Sequence, residues 1–257
     1  MTLALFTLVE REIVRFLRQR SRVVGALAQP VVFWVLLGTG LSPSFRPPGS
    51  PPGMGYMQFF FPGVLALVLL FTAIFATITV VEDRRGGFLQ GVLAAPIGRS
   101  TIVLGQSLGA TALAVIQGAI FLMLAPLAGI ALSPGRVCAT VGAMGLVGFA
   151  LANLGLMIAW RAESTQGFHA VMNLMLLPLW FLSGAFFPPE GVARPLAWLM
   201  ALDPLTYGLV LLRSALWLGE PGAGPAAGAP WAFALSTVFA LSTLAGAIFV
   251  ARRSTGG

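Results

Sequence analysis

Ionisable residues are so sparse along this chain that they act as punctuation. Counting His169 as neutral, charge-free stretches of 23, 35, 36, 24, 26 and 31 residues separate them. A helix rising about 1.5 Å per residue crosses a hydrocarbon core with about 20 apolar residues, so each stretch is long enough to span a bilayer. The hydropathy pattern predicts spans at 23–41, 59–81, 101–124, 137–160, 170–187 and 231–251. Between them lie turn-forming segments: Ser42-Pro43, the proline-rich run 47–53, Ser133-Pro134-Gly135 and the Gly/Pro/Ala stretch 219–230. The expected fold is an all-α integral membrane protein with six transmembrane helices in one domain, 23–251. A segment 1–22 precedes it and a short tail, 252–257, follows. No internal repeat and no second domain are visible.

Composition sharpens this. Hydrophobic side chains make up 58% of the chain and charged ones 9%, where a water-soluble domain carries roughly a quarter charged residues. All fifteen basic residues are arginines. With the N-terminus inside, eleven of them (Arg11, Arg15, Arg18, Arg20, Arg22, Arg84, Arg85, Arg99, Arg161, Arg252 and Arg253) fall on the inner side. Arg46, Arg136, Arg194 and Arg213 fall outside. That bias places both termini in the cytoplasm of a multi-pass protein, and it reads as an orientation signal rather than a nucleic-acid footprint. A lone Cys138 excludes an intrachain disulfide and a cysteine-rich metal site, and a single histidine excludes a multi-histidine site. Seven charges before residue 23, acids included, do not fit a cleavable signal peptide.

Arg11, Arg15, Arg18 and Arg22 recur at spacings of four, three and four, which gathers them in one stripe of a helix. Phe6, Val9, Ile13 and Phe16 fall opposite, while Arg20 falls on the apolar side and marks a bend or an end. This is the pattern of an amphipathic helix in the interface plane, with arginines toward phosphate head groups and rings toward acyl chains. It serves either as a topology anchor or as an element that slides or meets a cytoplasmic partner.

Two further segments break the simple hairpin pattern. The inner loop 82–100 carries Phe88, Leu89, Val92 and Leu93 on one helical face, stopped by Pro96 after two to three turns. A short cytoplasmic helix with an apolar face wants a partner. On the outer side, within 188–217, the helices 192–202 and 205–217 are each too short to cross and are punctuated by Pro189, Pro195 and Pro204, so they should dip into the outer leaflet. Asp203 is placed to cap the second of them. Arg194 and Arg213 suit outer phosphates, and Trp198 and Trp217 an interfacial belt.

These residues carry a resemblance. Asp83-Arg84, Gly87-Phe88-Leu89, Ala95-Pro96 and Arg99 resemble the inner loop of type-2 ATP-binding-cassette exporter permeases. The block 177–213, with FLSGAFFP followed by DPLTY, is similar to that family's fifth span and re-entrant pair. The chain departs from the family's pattern at Arg85, Gly91 and Asp203. The resemblance implies a coupling helix formed by Asp83, Arg84, Gly87, Phe88, Leu89, Val92, Leu93, Pro96 and Arg99, which docks on a separate ATPase subunit present in two copies. It also implies an outer gate with Ser183, Gly184, Asp203, Pro204, Tyr207 and Arg213, and a homodimer or a pairing with a paralogous permease through the first and fifth spans. Gly25, Ala26, Gly38, Gly40, Gly184 and Ala185 would permit that close approach. The cell location implied is a bacterial-type inner membrane, with lipid as the remaining partner.

The chain itself should bind no cofactor and catalyse nothing. A P-loop needs a lysine on the nucleotide phosphates, so ATP and magnesium belong to the partner subunit. The span middles hold no Asp, Glu or His of the kind a proton-coupled carrier uses, only Gln29, Gln106, Gln117, Asn153 and Asn173, read here as glue between helices. Ser183 and His169 lie fourteen residues apart, about 21 Å on a continuous helix, too far for a proteolytic dyad. The expected function is outward movement of an amphipathic drug, lipid-linked molecule or polysaccharide. The alternative is an ATPase-independent pore or scaffold.

Overall fold

The computed structural model describes residues 7, 9–12, 14–15, 20–41, 53–87, 91, 98–187, 192–218 and 230–253. Among these the chain is helical, with no strand. The helices are α1 (Arg20–Leu41), α2 (Tyr56–Ala76), α3 (Ile78–Arg85), α4 (Arg99–Leu122), α5 (Pro134–Ala159), α6 (Thr165–Leu182), α7 (Arg194–Leu202), α8 (Pro204–Leu216) and α9 (Pro230–Arg253). A short 3₁₀ turn, Ala125–Ala128, follows α4. Helical residues 7, 9–12 and 14–15 precede α1.

The most apolar helix is the hub. α2 continues through a break at Thr77 into α3, and it buries residues around its whole circumference, Phe60, Phe61, Val64, Leu65, Val68 and Leu69 among them. Such all-round burial is what a helix without a polar face must do. Packed against α2 are α1, α4, α5 and α8. Lipid is as apolar as leucine, so helices in a bilayer associate through close backbone approach and shared hydrogen bonds rather than through expulsion of water. Both devices are used here. A Cβ at Gly155 of α5 would come within 2.8 Å of Thr77 Oγ1 and 3.1 Å of Ile74 Cα, so the α5 and α2 backbones touch where α2 breaks. At Gly118 of α4 the nearest atom is Met144 Sδ, 2.7 Å away. Trp34 Nε1 of α1 donates to Met57 O at 3.1 Å, and Trp180 Nε1 of α6 donates to Gly63 O at 2.7 Å, so an indole ties each flanking helix to α2.

Length and apolarity qualify four helices as candidate spans: α2 with α3, α4, α5 and α9. The pair α7 and α8, bent by 80° at Asp203, makes a fifth if it is one broken span. Among the described residues, length and apolarity alone therefore support four of the six expected spans. Within α1 only Leu27–Leu41 is a shorter apolar helix, and α6, with 18 residues diluted by Gln166, His169 and Asn173, is not among the candidates. The fifth predicted span is also displaced toward the N-terminus. Ser164 Oγ accepts from the Gly167 amide at 2.9 Å and starts α6 at Thr165, and Gly184 at φ +84 ends it beyond Ser183.

The five amides divide. Gln117 Oε1 accepts from Thr72 Oγ1, joining α4 to α2 as expected of glue. Asn153 Nδ2 instead donates to Phe149 O of its own helix, Gln106 Oε1 is buried without a hydrogen-bond partner among the described residues, and Gln29 and Asn173 are exposed. Three of the small residues expected between two copies are occupied inside one copy. Gly38 lies against Met57, Ala185 is fully buried against Gly63, and Gly184 makes the turn after α6. Gly25 and Gly40 face open space.

Close approach makes a prediction about sign. Alanine is the better helix former by about 1 kcal/mol, so Gly142→Ala on the open face of α5 should hold or raise the melting temperature in detergent. Gly155→Ala should lower it, because overpacking costs about 1–3 kcal/mol. Equal shifts for the two would show that α5 and α2 do not touch there.

Candidate functional site

Arginines from the end of α3, the start of α4, the end of α9 and the N-terminal helical residues gather at one end of the bundle, where α5 also ends. The loop from Gly86 to Gly98 springs from this end. Its predicted contact residues Phe88, Leu89, Val92, Leu93 and Pro96 lie outside the described residues, as do Arg18 and the side chain of Arg22. Gly87, at φ +74, turns the chain out of α3, and Gly91 is exposed.

At the root of the loop sits a compact ion cluster. Asp83, 7% exposed, receives Arg11 Nη2 on both carboxylate oxygens at 2.7 Å, and Arg15 Nη1 on Oδ1 at 3.1 Å. Arg15 Nη2 also reaches Glu82 Oε2 at 2.6 Å. Two guanidinium groups thus balance two carboxylates across about 70 residues of sequence. Of the predicted arginine stripe, Arg11 and Arg15 are described, and they point at protein acids rather than only at head groups, because partly buried carboxylates bind a guanidinium fork tightly.

A third carboxyl lies beside them. Glu12 is 6% exposed, with its Cβ 3.0 Å from where a Cβ at Gly109 of α4 would stand, and its side chain lies near Thr79. Burial pushes its pKa up. Arg11, Arg15 and Thr79 pull it down, and Asp83 adds to the rise. With Asp83 and Glu82 already matched to Arg11 and Arg15, a proton on Glu12 leaves the cluster neutral.

The two loop arginines serve as helix caps. Arg84 donates from Nη2 to Trp160 O at 2.7 Å and Ala159 O at 3.3 Å, and from Nη1 to Ala162 O at 3.3 Å, covering the end of α5. Arg99 Nη1 donates to Arg252 O at 2.6 Å at the end of α9, and Arg252 Nη2 returns a bond to Ser100 Oγ at 3.3 Å. A helix C-terminus presents unpaired carbonyls and partial negative charge, which is where a cation belongs. The sequence reading missed these partners, since nothing local in the chain marks them.

At the opposite end the residues expected around a gate do come together. Asp203 Oδ1 accepts from the Leu205 amide at 2.9 Å and caps α8, with Pro204 in its first turn. Thr206 Oγ1 donates to Met200 O at 2.7 Å and Tyr207 OH to Ala201 O at 2.5 Å, which fastens α8 back onto α7. Ser183 Oγ donates to Trp180 O at 2.7 Å. Arg213 corrects an expectation. It is 7% exposed, donates from Nη2 to Gly184 O at 2.9 Å and stands 4.6 Å over the Phe59 ring, so it braces the turn after α6 instead of facing outer phosphates. Trp217 is likewise buried, whereas Arg194 and Trp198 are exposed.

The sequence of this helical bundle matches a known family. The family model described as ABC-2 type transporter covers residues 4–217. The chain belongs to this family. It is therefore a multi-pass membrane protein of a transporter family. Similar proteins include Nodulation protein J of Sinorhizobium fredii (strain NBRC 101917 / NGR234), 31% identical over 80% of this chain and 78% of that protein. Nodulation protein J of Rhizobium leguminosarum bv. viciae is 28% identical over 78% of this chain and 76% of the other. Inner membrane transport permease YhhJ of Escherichia coli (strain K12) is 26% identical over 62% and 44%.

The ion cluster makes two predictions. Asp83→Asn should cost about 1.5–3 kcal/mol of docking for residues 9–15, seen as faster amide exchange there. Glu12 binds its proton more tightly in the folded chain than in the unfolded one, so the contribution of Glu12 itself to docking is fully present below pH 4.5. It weakens as pH rises from there through the raised native value. Glu12→Gln should remove that dependence once exchange is corrected for its intrinsic rate.

Proposed function

We propose that this chain is the permease subunit of a two-part ATP-driven exporter in a bacterial-type inner membrane, with both termini in the cytoplasm. In this reading α1, α2 with α3, α4, α5, α6 and α9 make six crossings, while α7 and α8 re-enter from the outside. The arginine-rich end is the cytoplasmic one, in keeping with the excess of positive charge on that side of membrane proteins. The single observation that carries the coupling is the loop rooted there. Its ends are held by an ion cluster and two arginine caps, and the apolar residues Phe88, Leu89, Val92 and Leu93 lie between them. A separate ATPase subunit grips that stretch, and ATP-driven closure rocks the spans so that cargo leaves outward. Nucleotide can drive this only by favouring one arrangement of spans over the other.

Two copies line the path. α6 buries the stripe Phe168, Met172, Leu176 and Trp180 and leaves Val171, Leu174, Leu177, Phe181 and Asn173 exposed. α1 leaves Gln29, Val32, Val35 and Leu36 exposed. Phe33 meets Trp180 edge-on at 6.3 Å, so the two helices are neighbours. An amide is costly against acyl chains, which favours a protein surface or a cargo path over these faces. The phenylalanine-rich, tyrosine-poor composition leans toward an amphipathic drug or lipid-linked cargo over a polysaccharide.

The test is co-purification with a candidate ATP-binding-cassette ATPase subunit from the same organism. The intact chain should retain it, and Phe88→Asp with Leu93→Asp should lose both the ATPase and its stimulated hydrolysis. An intact chain that retains no ATPase points to a pore or scaffold instead.

A further inference from the structure

Arg84 and Arg99 bracket the inner loop, and each leaves its own helix to cap another. Arg84, at the end of α3, closes the C-terminus of α5, a helix whose last turn holds no basic residue of its own. Arg99, at the start of α4, closes the C-terminus of α9. The two capped helices are themselves joined near the same end. A Cβ at Gly246 of α9 would come within 2.8 Å of Met157 Cε of α5, and α5 and α9 pack together extensively. Both feet of the loop therefore stand on the ends of one packed helix pair. Among the described residues, neither guanidinium bonds α6. Arg85, next to Arg84, stays exposed, so the inward placement belongs to Arg84 and is no property of the charged run as a whole.

A guanidinium suits this task. Its planar fork holds several carbonyls at fixed angles, which an ammonium point charge does not. Three carbonyls on Arg84 fix direction as well as distance, so a sideways displacement of the loop cannot occur without either breaking those bonds or carrying the end of α5 along. We propose that Arg84 and Arg99 are positioning residues for coupling, seating the loop on α5 and α9 so that its displacement moves that pair as one body. This rests on the reading that an ATPase grips the loop.

The sole cysteine supplies the reporter. Cys138 is exposed in the first turns of α5, 21 residues and about 32 Å from the end that Arg84 caps. The complex of chain and ATPase is reconstituted in nanodiscs, and the rate of Cys138 reaction with a maleimide is measured without nucleotide and with ATP plus vanadate. In the intact chain the two rates should differ severalfold. In Arg84→Met with Arg99→Met, measured on the fraction of the variant that co-purifies with the ATPase, the rate ratio should fall to one. Arg84→Lys with Arg99→Lys should give an intermediate ratio, and it decides the matter if the methionine variant does not fold. Plain helix caps would lower the melting temperature and leave the ratio untouched, and that result overturns the proposal, as does a ratio of one in the intact complex. An intact chain that binds no ATPase overturns the exporter reading along with it, and co-purification reveals that before any labelling.

Discussion

Backbone carbonyls at the end of a helix have no partner within the helix, and near a membrane they cannot count on unlimited water. In this chain arginine meets that need. Arg84 covers the end of α5, Arg99 the end of α9, Arg136 bonds Leu218 O and Ala131 O, and Arg213 bonds Gly184 O. Each cap joins elements that sequence separates, so the groups that finish the helices also fix where the connecting segments sit. The loop after α3, the bend between α7 and α8 and the helix bundle are thereby parts of one framework.

Between the ends, the bundle relies on shape. α2 is the most apolar helix and lies at the centre, and the glycines of α4 and α5 let their backbones approach it. α6 makes a different kind of contact, through one i, i+4 stripe and the Trp180 indole. A helix held along one stripe has a large remaining surface. That surface carries Asn173, and this contrast between a tightly packed centre and an open flank gives the bundle one side suited to motion or to assembly.

Much of this was legible in the residues. Charge spacing located the helices to within a few positions, the 11–15 spacing gave the stripe, and the proline and aspartate at 203–204 gave the bend with its cap. Helical periodicity says which residues share a face, but not what stands opposite. Arg11 and Asp83 are 72 positions apart, and nothing local in either marks the other. The same gap hid the caps made by Arg84 and Arg99 and turned Arg213 inward against expectation. Gly38 and Ala185 were misassigned for a related reason, since a small residue announces a close approach without naming the neighbour. The start of α6 precedes the predicted span because hydropathy passes over a polar first turn, although Ser164 is an ordinary N-cap.

The ion cluster at residues 11–15 and 82–83 shows why charge rather than apolar packing was suited to that position. A partly buried ion pair adds little net stability, because desolvation consumes most of the attraction. What it adds is register. Arg11 spans both oxygens of Asp83 while Arg15 bridges Asp83 and Glu82, so the N-terminal helical residues can lie against α3 in one rotation and one translation only. An apolar contact of the same size would tolerate sliding. Burial and the nearby Asp83 carboxylate raise the pKa of Glu12 beside the pairs, so a third negative charge is disfavoured there. The root of the loop is therefore a place where modest energy is spent on a single defined geometry.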